Sequence, residues 1–425
     1  MLEFTINYVV GKKEQLVKSK FKSIGKVFLW LIGILAVVFL TAVIAYSIIY
    51  TPQYVFRVLR WGNSDVYDYL KFPERQMEKA AVEYHFIEQQ NNAEINDMFE
   101  SNPLIDDLES FINETDTQAF LVIKDDTLLY EQYGQGIQRG SIVTSFSTAK
   151  SFVSTLVGIA IDEGHIDSVD DPITKYLPEL AKRDAEFEKI TIKDLLKMSS
   201  GIRYREFPLP NGDDALTYYY PDLKQLALTN TKIDDQPGEF FLYKNYHPLL
   251  LGMILERATG QPVADYLEKK IWQQIGMEYP GSWSLDEAGF EKMESGINAR
   301  AIDFAKFGRL FLKNGQWEGE QVISEDWIDE SIRENQEHSP AYYETSFGPE
   351  IVNVANGGYY QYMWYGLRRE DGADDFFAAG NHGQYIYVSP QANLIIIRNG
   401  ESYGSGLSYF DWIEIFYSFA TQLIE

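Results

Sequence analysis

Residues 147–150 read Ser147-Thr148-Ala149-Lys150, at the start of an amphipathic stretch that runs to Glu163. Phe152, Leu156, Ile159 and Ala160 recur there at helical spacing, and Gly164 stops the pattern. Residues three apart on a helix share a face, so the amine of Lys150 can reach the hydroxyl of Ser147. Serine alone is a weak nucleophile, and a neutral amine beside it takes its proton. None of the five histidines lies beside this serine, and a Ser-Lys pair needs none. The spacing by itself is unselective: Ser19 with Lys22 and Ser23 with Lys26 repeat it in a basic tail. The setting must separate a nucleophile from an ordinary surface helix.

Outward from this helix, residues 119–124 (AFLVIK) and 127–133 (TLLYEQY) flank Asp125-Asp126 and read as a β-hairpin. Residues 384–388 and 393–398 form a second hairpin-like pair, followed by a helix over 409–424. Segments 191–198, 249–259, 263–275 and 299–313 carry helical apolar spacing, and a further helix is expected near 74–90. Strands at both ends of this region pair into one antiparallel sheet. The expected class is therefore α/β (α+β): an antiparallel sheet flanked by helices, plus a mostly helical lobe, with the ligand cleft between them.

Residues 27–50 contain 24 positions without a charge. As a helix they span about 36 Å, more than the roughly 30 Å of a bilayer core. A signal peptide would have a shorter apolar stretch of about 7–15 residues. Six lysines precede the segment, and only Arg57 and Arg60 follow within twenty residues. The positive-inside rule then puts the N-terminus in the cytoplasm and the rest on the periplasmic or extracellular side. The expected organisation is a basic cytoplasmic tail (1–26), a transmembrane helix (27–50), a juxtamembrane lead-in (51–115) and a catalytic domain (116–425).

The tail carries a net charge of +4 in a chain of net −26, so the remainder is strongly acidic. Such a surface repels phosphate backbones, so nucleic acid is not an expected partner. Membrane lipid at the N-terminal helix is. Cysteine is absent, which rules out disulfides, thiol nucleophiles and Cys-based zinc sites and leaves the compartment open. His85, His165, His247, His338 and His382 show no metal-ligand spacing, so no metal or other cofactor is expected.

Two further motifs follow in order. Tyr243-Lys244-Asn245 is the only Y-x-N among 29 tyrosines. Gly380-Asn381-His382-Gly383-Gln384 lies just before the last hairpin strands. From about Asp65 onward the chain resembles the serine β-lactamase and penicillin-binding-protein superfamily, whose motif set begins with S-x-x-K. Within it the resemblance is to the class C-like branch, closest to 6-aminohexanoate-dimer-hydrolase-like serine hydrolases.

That resemblance implies a β-lactamase/transpeptidase-like fold and an acyl-enzyme on Ser147. Lys150 and Tyr243 would be its general base and acid, with the Tyr243 phenol shifted below its usual pKa of about 10 by two nearby amines. The backbone N–H groups of Ser147 and Gln384 would form the oxyanion hole. Asn245 would bind substrate and Lys150; Asn381, His382, Gly383 and Tyr204 would also face substrate, Gly383 because a side chain there would obstruct it. Asn381 occupies the position usually held by a cation, which counts against carboxylate-bearing penicillins and D-Ala peptides. Glu294 stands where the family often has glycine.

The expected function is a membrane-anchored serine hydrolase acting on a small ester, amide or short peptide-like substrate. The alternatives are a β-lactamase or D-Ala carboxypeptidase, and a tethered binding or sensor protein that acylates without turnover. Neither the physiological substrate nor the oligomeric state can be read from these residues.

Overall fold

The computed structural model describes residues 2–207, 211–334, 339, 341–370 and 372–424. It divides into two units, residues 1–62 and 63–425.

The first unit is helical, with Leu2–Ile49 followed by Pro52–Trp61. Thr51 separates them: its hydroxyl accepts the Tyr54 N–H, and Pro52 takes the first turn, where no amide proton is needed. Lys20–Ile49 has a mean hydropathy of 2.9 and no part of its most apolar window is buried. Leaving that much apolar surface in water costs about 25 cal/mol per Å². It is the one helix among the described residues long and apolar enough to cross a membrane, and a signal sequence has the same character.

In the second unit an eight-stranded sheet runs in the order Gly358–Gln361, Trp364–Leu367, Asp375–Gly380, Gln384–Ser389, Leu394–Gly400, Thr117–Lys124, Thr127–Tyr133, Ile87–Glu88. The two expected hairpins are joined where Leu394–Gly400 pairs antiparallel with Thr117–Lys124, Ile396 opposite Val122. Helices cover both faces, so the central strands are buried along their length except at Lys124 and lose the alternation of a half-exposed strand. On one face Ala301–Leu312 comes so close that a Cβ at Gly308 would lie 3.1 Å from the methyls of Ile386 and Ile395. On the other, Tyr409–Ile424 lays Phe416 and Trp412 against Phe120.

The helix Ala149–Asp162 is buried from Ala149 to Ala160 and packs against Tyr246–Thr259. Phe152 stacks on Phe307 at 3.6 Å, tying the helix to the sheet-covering layer. Phe152→Ala is expected to destabilise the protein by about 3–5 kcal/mol through lost burial and a residual cavity. Urea unfolding measures this.

Several expectations change. Residues 74–90 form no helix: Glu74–Met77 pairs with Gly281–Ser284 in a separate four-stranded sheet, and Ile87–Glu88 runs parallel to Thr127–Tyr133. Long-range pairing overrides the helical propensity of Glu, Arg, Gln and Met there. Residues 263–275 split into Val263–Leu267 and a π turn, Glu268–Trp272. The unit that holds both sheets begins at Asn63.

Candidate active site

Ser147 sits in a short 3₁₀ turn, Phe146–Thr148, that feeds the helix Ala149–Asp162. Phe146, just before it, has φ 41°, a region that a bulky side chain rarely occupies. Such strain costs on the order of 1–3 kcal/mol and is held here by the buried surroundings of Phe146. The Phe146 ring packs against His382 at 5.0 Å.

The helical spacing delivers Lys150 Nζ to 2.7 Å from Ser147 Oγ. Nζ also donates to the Glu294 carbonyl oxygen at 2.9 Å. Lys150 is buried, and desolvation lowers its pKa to about 7 against the opposing pull of Glu294 and Asp214. A neutral amine is therefore well populated at neutral pH.

Tyr243 comes from the loop just before the helix Tyr246–Thr259. Lys150 Nζ lies 4.9 Å from its ring centroid. The expected downward shift of this phenol is not found. Burial pushes it well above its usual value. Lys244, its neighbour in sequence, turns away and donates to the Ile202 carbonyl. Tyr243 is thus held as a protonated phenol.

A cavity of about 480 Å³ opens beside Ser147, lined by Asp214, Tyr218, Tyr219, Asn245, Glu294, Asn381 and His382 among others. No Lys or Arg is among its described lining residues. The Asn245 amide donates to Thr217 Oγ1 at 3.2 Å, and the role expected of it toward Lys150 falls to the Glu294 carbonyl. Tyr204 stands behind the cavity and donates to Asp214 Oδ1 at 2.5 Å. His382, with φ 62°, makes a 3.0 Å contact from Nδ1 to the Glu401 carbonyl.

The 380–384 run is placed differently from expectation. Gln384 pairs with Gly380 across the hairpin, and its side chain is buried against Gly400 O and Asn399 Nδ2. Gly383 does not face the cavity. It has φ 81°, and a Cβ there would lie 1.8 Å from Arg398 Nη1, which donates to its carbonyl at 2.8 Å. Gly380 is the glycine against the nucleophile: a Cβ there would come 2.8 Å from Ser147 N and 2.6 Å from Ser145 O. The wall position next to Ser147 is then Asn381.

Sequence reasoning assigned no role to Asp214, and the geometry of Glu294 was not foreseeable. Glu294 is 2% exposed, pairs with Lys292 at 2.7 Å and accepts from Ser295 at 3.1 Å through Oε1; its Oε2 is buried without a partner. Its departure from the family's glycine was the one available signal. Among the described residues no cluster could hold a metal ion; His338 lies outside them.

Residues 108–399 match the family model described as Beta-lactamase. The 6-aminohexanoate-dimer hydrolase of Paenarthrobacter ureafaciens is 29% identical over 310 residues, 69% of this chain and 74% of that one. A teichoic acid D-alanine hydrolase of Staphylococcus aureus is 23% identical over 186 residues, 43% of this chain and 42% of that one. Among solved structures, a Bacillus anthracis protein proposed to be a 6-aminohexanoate-dimer hydrolase superposes with a TM-score of 0.69. It is 24% identical and covers 86% of this chain and 94% of its own.

Proposed function

Because the chain belongs to the beta-lactamase family, we propose that it is a membrane-tethered serine hydrolase that opens small amides or esters through an acyl-enzyme on Ser147. The observation that carries this reading is the buried Lys150 amine, 2.7 Å from Ser147 Oγ with a pKa near 7. Lys150 takes the serine proton as Oγ attacks the carbonyl carbon. Tyr243 gives its proton to the leaving atom. The N–H groups of Ser147 and Asn381 hold the oxyanion, Asn381 replacing Gln384 as the second donor because it lines the cavity beside Gly380. In the second half of the cycle water replaces the leaving group and the same two side chains return the protons. The helix Lys20–Ile49 would anchor the enzyme, with the lysine-rich tail in the cytoplasm and the hydrolase on the far side.

The cavity also favours a class of substrate. Asp214 and Glu294 are on its wall, and no Lys or Arg is among the described lining residues to receive a carboxylate. Burial raises the Asp214 carboxyl above its usual range. A bound ammonium would draw it back to the ionised form. An acyl group carrying a free amine, as in 6-aminohexanoate dimer or a D-alanyl ester, is the fit.

The test compares 6-aminohexanoate dimer, a D-alanyl ester, a short p-nitrophenyl ester and nitrocefin on wild type and Ser147→Ala. Ser147-dependent turnover is expected, best on amine-bearing substrates. Labelling of Ser147 by a fluorophosphonate without turnover would instead favour a tethered binding protein. Nitrocefin as the best substrate would favour a β-lactamase.

A further inference from the structure

We propose that Gln384 is a positioning residue: its side-chain amide clamps the Asn381 carbonyl and so keeps the Asn381 N–H aimed as the second oxyanion donor. The inference rests on the hydrolase reading above and on the donor named there.

The geometry fixes which way the amide faces. Gln384 is 1% exposed, and its Nε2 lies 2.7 Å from the Gly400 carbonyl oxygen and 3.2 Å from that of Asn381. A carbonyl only accepts, so the nitrogen end must meet this pair. The oxygen end then meets Asn399, whose Nδ2 donates to Oε1 at 2.9 Å. Both ends of the buried amide are satisfied, and turning it over would leave them facing like groups.

Asn381, His382 and Gly383 form the turn between the paired residues Gly380 and Gln384. His382 and Gly383 take positive φ, 62° and 81°, which is uncommon for a histidine. Residues 400–402 brace this far end of the turn. His382 Nδ1 lies 3.0 Å from the Glu401 carbonyl, and the Arg398 guanidinium joins Gly383 O at 2.8 Å to Ser402 O at 2.9 Å. The brace is itself pinned to Asp116: the Glu401 N–H donates to Asp116 O at 2.8 Å, and the Ser402 hydroxyl to Asp116 Oδ2 at 2.7 Å. Gln384 Nε2 reaches the Asn381 backbone directly. Asn381 is exposed, so its carbonyl would otherwise turn to water. At the near end Gly380 is seated against Ser147 N. The Asn381 N–H lies between Gly380 and the clamped carbonyl, so it is held from both sides.

Oxyanion donors are effective because they are aimed before charge develops. A displacement of about 1 Å can cost on the order of 10² in rate. The loss belongs to the tetrahedral state rather than to the bound substrate, so it should appear in kcat and leave KM almost unchanged.

Phenylboronic acid reports on that state directly. Its boron takes the Ser147 Oγ electron pair while Lys150 takes the proton, which leaves a tetrahedral boronate with an oxygen in the oxyanion position. Its Ki does not depend on the fraction of molecules folded, so a merely structural loss leaves it unmoved. We would measure Ki, kcat and KM for a short p-nitrophenyl ester on the full chain. Gln384→Met, similar in length but without hydrogen-bonding groups, is expected to raise Ki and lower kcat about tenfold or more, with KM within about threefold. Gln384→Glu should match it at neutral pH, because a carboxylate cannot donate to two carbonyls. Asn399→Leu, which frees the oxygen end of the clamp, should raise Ki about threefold, and decides the matter where the Gln384 variants fail to fold. A fall in kcat with Ki unchanged, or wild-type Ki in Gln384→Glu or Asn399→Leu, would overturn the proposal. Absence of Ser147-dependent hydrolysis in wild type would remove the hydrolase reading itself, and this inference with it.

Discussion

Lys150→Met should lower kcat/KM by about 10²–10⁴, the usual worth of a positioned general base, without a comparable loss of folding. In water a lysine of pKa near 10.5 is neutral in only about one molecule in three thousand at pH 7. Burial that brings it to about 7 makes roughly half the molecules competent. The sign of the pH dependence follows: activity is full above pH 7 and falls about tenfold per unit below it, as the amine is protonated. Lys150→Arg separates base from cation. It keeps a charge but cannot lose it, so it should be as inactive as the methionine variant. Initial rates across pH 5–9 for the three proteins check this. An arginine variant with substantial activity would mean that Lys150 acts as a fixed charge.

The second large effect is expected at Gly380. Its φ is not among the positive ones, so alanine fits the backbone there, but the added methyl would sit 2.6 Å from Ser145 O and 2.8 Å from Ser147 N. Backbone must move, and the backbone that moves carries the Ser147 N–H proposed as an oxyanion donor. Gly380→Ala should therefore cost about 10²–10³ in kcat, the range for loss of one such donor. Gly383→Ala is the contrast. There the clash is with Arg398, a buried guanidinium that also bonds Thr115 O and Ser402 O and lies 3.9 Å over the Trp412 ring. That variant should lose stability, by about 1–3 kcal/mol or more, rather than a particular catalytic step. Thermal unfolding and single-turnover kinetics on both variants distinguish the two outcomes.

The ease of reading differed by element for physical reasons. The two hairpins around Asp125-Asp126 and 389–393 were visible because short apolar runs are bounded by turn residues. The strands Gly358–Gln361, Trp364–Leu367 and Asp375–Gly380 were missed. They are short and buried on both faces, so no alternation marks them. The last of these misses explains the misplaced register at 380–384. Without a strand over Asp375–Gly380, the motif reading falls on Gly383 and Gln384, whereas the strand ends at Gly380 and the chain turns at Asn381.

Sequence alone determined the Ser147–Lys150 pairing, because three-residue helical spacing is a local property, and the apolar N-terminal helix, because length and composition suffice for it. It also singled out Tyr243, through a motif short enough to survive without its neighbours. Tertiary structure decided the protonation of that constellation. Burial lowers Lys150 toward 7 and raises Tyr243, and burial is set by elements far away in the chain: the Glu294 segment, the Tyr365 strand and the helix that follows Tyr409. A pKa depends on the dielectric and the partners around a group, and neither is a property of the residues beside it in sequence.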